Sequence, residues 1–124
     1  MKILIIDDDR GVRKFIRKAL SKLDYTIFDA ENGEIALNAM SDEENFDLAI
    51  VDILMPEKEG LETIREIKNL YPEMKIIAMS GGGQIAAEQY LQLADYMGAD
   101  AVIKKPFIRK DLINKIEEVS KDKS

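Results

Sequence analysis

The sequence predicts an α/β protein: one parallel five-stranded sheet, doubly wound, with helices covering both faces. Two observations lead there. Short apolar runs alternate with helical patterns five times without a break, which is the signature of successive βα units joined by right-handed crossovers. No internal repeat, low-complexity segment or linker divides the 124 residues, a length that suits a single domain with one continuous core. For five strands the common doubly wound order is 2-1-3-4-5, which makes the first and third strands neighbours at the switch point.

The first strand is Ile3 to Ile6, ending at Asp7-Asp8-Asp9. Apolar residues then fall at Val12, Phe15, Ile16, Ala19, Leu20 and Leu23, which is helical spacing along one face. Asp9 is placed as that helix's N-cap. Tyr25 to Phe28 is β-branched and aromatic, and Asn32-Gly33 turns the chain into a second helix carrying Ile35, Ala36, Ala39 and Met40. Strand three is Leu48 to Val51, ending at Asp52. Met55-Pro56 and Gly60 interrupt the chain, and Leu61, Ile64, Ile67 and Leu70 supply a third helical stripe that stops before Pro72. Strand four is Lys75 to Met79, ending at Ser80. Gly81 to Gly83 leads to a fourth helix with Ile85, Tyr90, Leu91, Ala94 and Met97, and Gly98 caps its carboxyl end. Strand five is Ala101 to Lys104, closed by Lys105-Pro106. Leu112, Ile113, Ile116 and Val119 give the last helix its buried face. Residues 1–120 form the domain and 121–124 a polar tail.

Composition removes many chemistries. With neither Cys nor His, the chain has no disulfide, no Cys/His zinc site, no Ser-His-Asp or Cys-His catalysis and no histidine-based proton shuttle. Lys and Arg number 18 against 24 Asp and Glu, and the net charge of −6 argues against direct nucleic-acid binding, which normally needs a basic face. The apolar runs are far shorter than the roughly 18 to 20 residues that span a bilayer. Three aspartates stop the first run before it resembles a signal-peptide core. A cytoplasmic location, with no membrane partner, is the resulting expectation. Arg13, Lys14, Arg17, Lys18 and Lys22 read as the solvated face of the first helix, with docking of a partner protein as the lesser alternative.

Parallel strands share one carboxyl edge, where open α/β sheets place their ligand sites. Asp7, Asp8 and Asp52 should therefore meet, flanked by Ser80 and Lys105. Like charges about 4 Å apart repel by roughly 4 kcal/mol at an effective dielectric near 20, so a carboxylate cluster needs compensation. Mg²⁺ supplies it, because it binds carboxylate, water and phosphate oxygens. An aspartate there is suited to act as nucleophile and carry an acyl phosphate. Hydroxyl, ammonium and backbone N–H groups would then neutralise the transferred phosphoryl group. Taken singly, these residues are ordinary turn, cap and surface positions; their joint placement at successive strand ends points to one site.

Asp7-Asp8, Asp52 with Met55-Pro56 and Gly60, Ser80-Gly81, Gly98-Ala99 and Lys105-Pro106-Phe107 occur in that order. In this the chain resembles the receiver domains of two-component response regulators, chemotaxis regulators among them, over nearly its whole length. The resemblance implies a flavodoxin-like three-layer sandwich. It implies Asp52 as phosphoacceptor, Mg²⁺ held by Asp8, Asp52 and the backbone carbonyl of Leu54, with Asp7 helping through water, and Ser80 and Lys105 on the phosphoryl oxygens. It implies a sensor histidine kinase or histidine phosphotransfer protein as donor, a downstream protein target, and a signalling role with only slow self-catalysed chemistry rather than an enzyme's. A phosphorylation-dependent homodimer is compatible with it. Two departures bear on the switch: Val102 stands where receivers often carry Tyr or Phe, and Leu54 stands where a polar side chain often positions attacking water. Together they keep open a docking module that is never phosphorylated. A Mg²⁺-dependent aspartyl-phosphate phosphohydrolase is the remoter alternative, since such enzymes usually add a cap over the site. No effector segment follows residue 119, so the expectation is a chain that acts on another protein or one cut from a longer regulator.

Overall fold

Alternation of inward-facing side chains along each strand sets the architecture. In the computed structural model, which describes all residues except 43–44, 54–58, 82–91, 93–94 and 122–124, five strands form one sheet: β1 (Lys2–Ile6), β2 (Thr26–Ala30), β3 (Leu48–Asp52), β4 (Lys75–Ser80) and β5 (Ala101–Lys104). The order is β2-β1-β3-β4-β5 and every pairing is parallel, as the alternation of elements predicted. Helices α1 (Arg10–Leu20), α2 (Gly33–Asp42), α3 (Glu59–Leu70) and α4 (Arg109–Ser120) cover the sheet.

Successive strand residues face opposite sides, and each side buries its own cluster. Ile3, Ile5, Leu48, Ile50, Ile77, Met79, Ala101 and Ile103 pack with Ile16, Ala19 and Leu20 of α1 and with Leu112, Ile116 and Val119 of α4. Leu4, Ile6, Ala49, Val51, Ile76, Ala78 and Val102 pack with Ala36 and Met40 of α2 and with Ile64 and Ile67 of α3. The central strand β3 is buried along its full length, as expected of a strand covered on both faces. No helix among the described residues is long and apolar enough to cross a membrane.

Local chemistry starts and stops the helices. Asp9 caps α1, its side chain accepting from the Gly11 N–H at 2.8 Å. The Asn32 carboxamide accepts from the Ile35 N–H at 2.8 Å at the start of α2, satisfying an otherwise orphaned donor. Gly98 has φ +82° and its N–H donates to the Asp95 carbonyl at 3.3 Å, a left-handed turn that favours glycine. The Lys105–Pro106 peptide bond is cis.

Some expected core positions lie elsewhere. Leu70 is 62% exposed because three-residue steps fall short of a 3.6-residue turn, so a stripe begun at Leu61 has rotated off the core by Leu70; Tyr71 packs there instead. Phe15 is 43% exposed, at the edge of the α1 stripe, with its ring 5.9 Å from that of Phe107. Leu23 follows the end of α1 yet still packs on the core. Ile85, Tyr90, Leu91 and Ala94 of the expected fourth helix, together with Met55-Pro56, Gly82-Gly83 and the 122–124 tail, lie outside the described residues, whereas Met97 is buried.

Candidate functional site

The register carries the chemistry to one place. Ile6 pairs with Val51 and Asp52 with Met79, so the chain leaving β1 at Asp7 runs beside the end of β3. Ser80 pairs with Lys104, and the Lys105 N–H donates to the Ser80 carbonyl at 2.7 Å. Asp7 and Lys105 continue the rows of Ile3-Ile5 and Ala101-Ile103, which face α1 and α4, and Asp52 continues the row of Leu48 and Ile50. Period-two alternation therefore aims these three side chains to the same side of the sheet edge.

Carboxylate oxygens of Asp7, Asp8 and Asp52 lie within 4.8 Å of one another. Asp7 and Asp52 are buried, at 0% and 3% exposure, while Asp8 is open to solvent. The Lys105 ammonium reaches both buried acids, 2.8 Å from Asp7 Oδ2 and 3.4 Å from Asp52 Oδ2. Burial, the largest single influence on Lys105, pulls its pKa down. The hydrogen bond and charge of Asp7, then the charge and hydrogen bond of Asp52, together outweigh that pull and leave the pKa above its ordinary value. The lysine stays charged wherever the protein is folded near neutral pH.

Asp7 is held from several elements. Its Oδ1 accepts from the Asp9 N–H at 2.8 Å, its own N–H donates to the Ala30 carbonyl at 3.1 Å, and its carbonyl accepts from Arg13 Nη1 at 2.7 Å. The Ser80 hydroxyl is 2% exposed and has no hydrogen-bond partner among the described residues. Beside the acids, Asp9, Gly11, Val12, Phe15, Gly81, Lys105, Pro106 and Phe107 line an open, largely apolar groove of about 610 Å³.

Asp7, Asp8, Asp52, Ser80 and Lys105 thus occupy one sheet edge, as sequence placed them; Leu54 lies outside the described residues. Arg13 was expected on a solvated face. Its side chain is only 16% exposed and also pairs with Asp29 of β2 through Nε at 3.3 Å. The signal was available in helical periodicity: Arg13 stands three residues before Ile16 and seven before Leu20, both buried, which puts it beside the core stripe and apart from Lys14 and Lys18. The donor set suits a hard cation: three carboxylates share the site with the Lys105 ammonium, leaving an excess of negative charge and oxygen ligands.

A parallel sheet in this order, with an acidic cluster and a lysine at its carboxyl edge, defines a receiver-type signalling module. The description "Response regulator receiver domain" matches residues 3–117, and the chain belongs to that family. It is 35% identical over 118 residues to the response regulator receiver protein CpdR of Brucella abortus, covering 95% of each chain. The CheY-like receiver domain protein of Methanospirillum hungatei has a TM-score of 0.82 at 32% identity, with 98% of this chain and 94% of that one covered. Response regulator TrrA of Thermotoga maritima, solved in complex with Mg²⁺-BeF, has a TM-score of 0.76 at 32% identity, covering 94% of this chain and 96% of that one. The transcriptional regulators it also matches are longer: the chain spans 48% of CpxR from Klebsiella pneumoniae, at 30% identity over 95% of its own length.

Proposed function

We propose that the chain is a phosphoacceptor switch of a two-component phosphorelay, with Asp52 accepting a phosphoryl group from a histidine kinase or histidine phosphotransfer protein. The observation that carries this is the buried Asp52 carboxylate at the end of β3, with acidic oxygens within 4.8 Å and the Lys105 ammonium at 3.4 Å. A carboxylate oxygen of Asp52 attacks phosphorus, the P–N bond to the donor imidazole breaks, and the donor keeps the electron pair and takes up a proton. Lys105 is already charged, so it neutralises phosphoryl oxygen without rearranging its protonation. The buried hydroxyl of Ser80, without a hydrogen-bond partner among the described residues, would donate to an oxygen that arrives.

Mg²⁺ fits the oxygen set of Asp8 and Asp52, with Asp7 in support and the Leu54 carbonyl as a further donor by resemblance. When bound, the ion neutralises charge on the transferring group. TrrA, whose solved complex contains Mg²⁺-BeF, supports extending that chemistry to this chain. The donor approaches over the groove between α1 and the Pro106-Phe107 segment, which opens beside the acids. Residues 1–120 act as the unit, with 121–124 as a tail, in the cytoplasm. Self-phosphorylation and loss of phosphate are slow side chemistry, and the output is a changed surface offered to a protein target.

The test is intact mass after incubation with acetyl phosphate and Mg²⁺, beside Asp52→Asn and metal-free samples. One added phosphoryl group, dependent on both Asp52 and Mg²⁺, is expected. An adduct that persists in Asp52→Asn would break the assignment, and a folded wild type that takes up none under rapid quench would favour docking without phosphorylation.

A further inference from the structure

We infer that Arg13 is a positioning residue for the metal-binding acids, acting through the Asp7–Asp8 peptide rather than by touching the ion. This rests on the metal role proposed above for Asp7, Asp8 and Asp52. Arg13 Nη1 donates to the Asp7 carbonyl at 2.7 Å while its Nε lies 3.3 Å from Asp29 Oδ2. One planar guanidinium therefore ties the exit of β1 to β2.

The peptide unit is rigid and planar, so the Asp7 carbonyl and the Asp8 N–H turn together. Fixing that carbonyl sets the direction in which Asp8 leaves the backbone. The other side of the same residue is held by the Ala30 carbonyl, the Asp9 N–H and Lys105. Arg13 thus completes a frame around Asp7, and Asp8, the exposed member of the cluster, depends on that frame for its orientation. Groups that orient metal ligands typically change affinity 10- to 100-fold when removed.

The choice of arginine has a physical reason. Two acceptors must be met at once by donors in a fixed fork, and lysine offers a single ammonium instead. Asp29 compensates the guanidinium's charge at a half-buried position and also pairs with Arg17 Nη2 at 3.2 Å. Arg17 is more exposed, with a side-chain exposure of 46%, and contributes less to the frame.

The experiment measures Mn²⁺ binding by electron paramagnetic resonance, with no phosphodonor present, in wild type, Arg13→Gln, Arg13→Lys and Asp29→Asn. Circular dichroism checks that each is folded. Arg13→Gln should weaken binding about 10-fold, Arg13→Lys should recover less than half of the loss, and Asp29→Asn should weaken it in the same direction but less. Asp29→Asn added to Arg13→Gln should have almost no further effect, because both act through one guanidinium. In acetyl phosphate reactions, the Mg²⁺ concentration for half-maximal rate should rise more than the saturated rate falls, a split that simple loss of stability does not produce. Folded Arg13→Gln with Mn²⁺ affinity within twofold of wild type overturns the inference. If that variant does not fold, unchanged affinity in Asp29→Asn does so. Wild type that binds no Mn²⁺ overturns the metal assignment and this inference with it, before any substitution is compared.

Discussion

A buried hydroxyl without a partner is costly, and the Ser80 hydroxyl at the end of β4 has none among the described residues. Leaving such a group unsatisfied costs about 1–3 kcal/mol, so a serine kept only for stability would be better replaced by alanine. Ser80→Ala should therefore raise the stability of the unphosphorylated protein by about 1 kcal/mol, read as a higher urea midpoint with an unchanged slope. The same variant should respond less to phosphorylation. A lower midpoint would mean that the hydroxyl already has a partner and is not held in reserve for a phosphoryl oxygen. Ser80 was legible in the sequence for the same reason as Asp52 and Lys105: each ends an apolar run, and parallel strands bring those ends together. Arg13 was legible only in part: its spacing from the buried Ile16 and Leu20 sets it beside the core stripe, but its acceptors, the Asp7 carbonyl and Asp29, come from strand ends that only the fold brings to it.

Between elements, two glycines set how closely α3 approaches its neighbours. A Cβ at Gly60 would overlap the Asp52 carbonyl oxygen and come within 2.7 Å of Ile53 Cα, so the start of α3 rests directly on the strand end that presents Asp52. At Gly33 the obstacle is the Thr63 hydroxyl of α3, a side chain that can be removed. Overpacking usually costs about 1–3 kcal/mol. Gly60→Ala should lie at or beyond the top of that range, since backbone yields least, and should slow phosphorylation of Asp52 in whatever fraction stays folded. Gly33→Ala should cost less, and Thr63→Ala beside it should restore part of the loss. Thermal melts of the four proteins decide it; a Gly60→Ala protein as stable as wild type would show that α3 shifts freely. Element order and topology were legible because strand and helix periods differ sharply. Helix stripes were less so: Leu70 and Phe15 match a periodic template, but burial depends on the rotation accumulated along the helix and on what lies opposite.

Across the whole molecule the excess of acid has two consequences that salt separates. The chain carries a net charge of −6, so self-repulsion weakens the folded state and any electrolyte relieves it. The cluster of Asp7, Asp8 and Asp52 concentrates part of that charge at one partly buried edge, where only an ion that sits among the oxygens gives full relief. An ion that binds the folded state alone stabilises by mass action, about 2.7 kcal/mol at one hundred times its dissociation constant. For a domain of this size that raises the melting temperature by roughly 10 °C. The expected result is that Mg²⁺ exceeds NaCl of equal ionic strength by most of that amount, that chelation reverses it, and that Asp8→Asn loses the excess while keeping the ordinary salt response. Equal shifts with Mg²⁺ and NaCl would reduce the effect to screening of surface charge and leave the acidic edge without a resident ion. A Mg²⁺ excess that survives Asp8→Asn would place the ion elsewhere on this acidic surface.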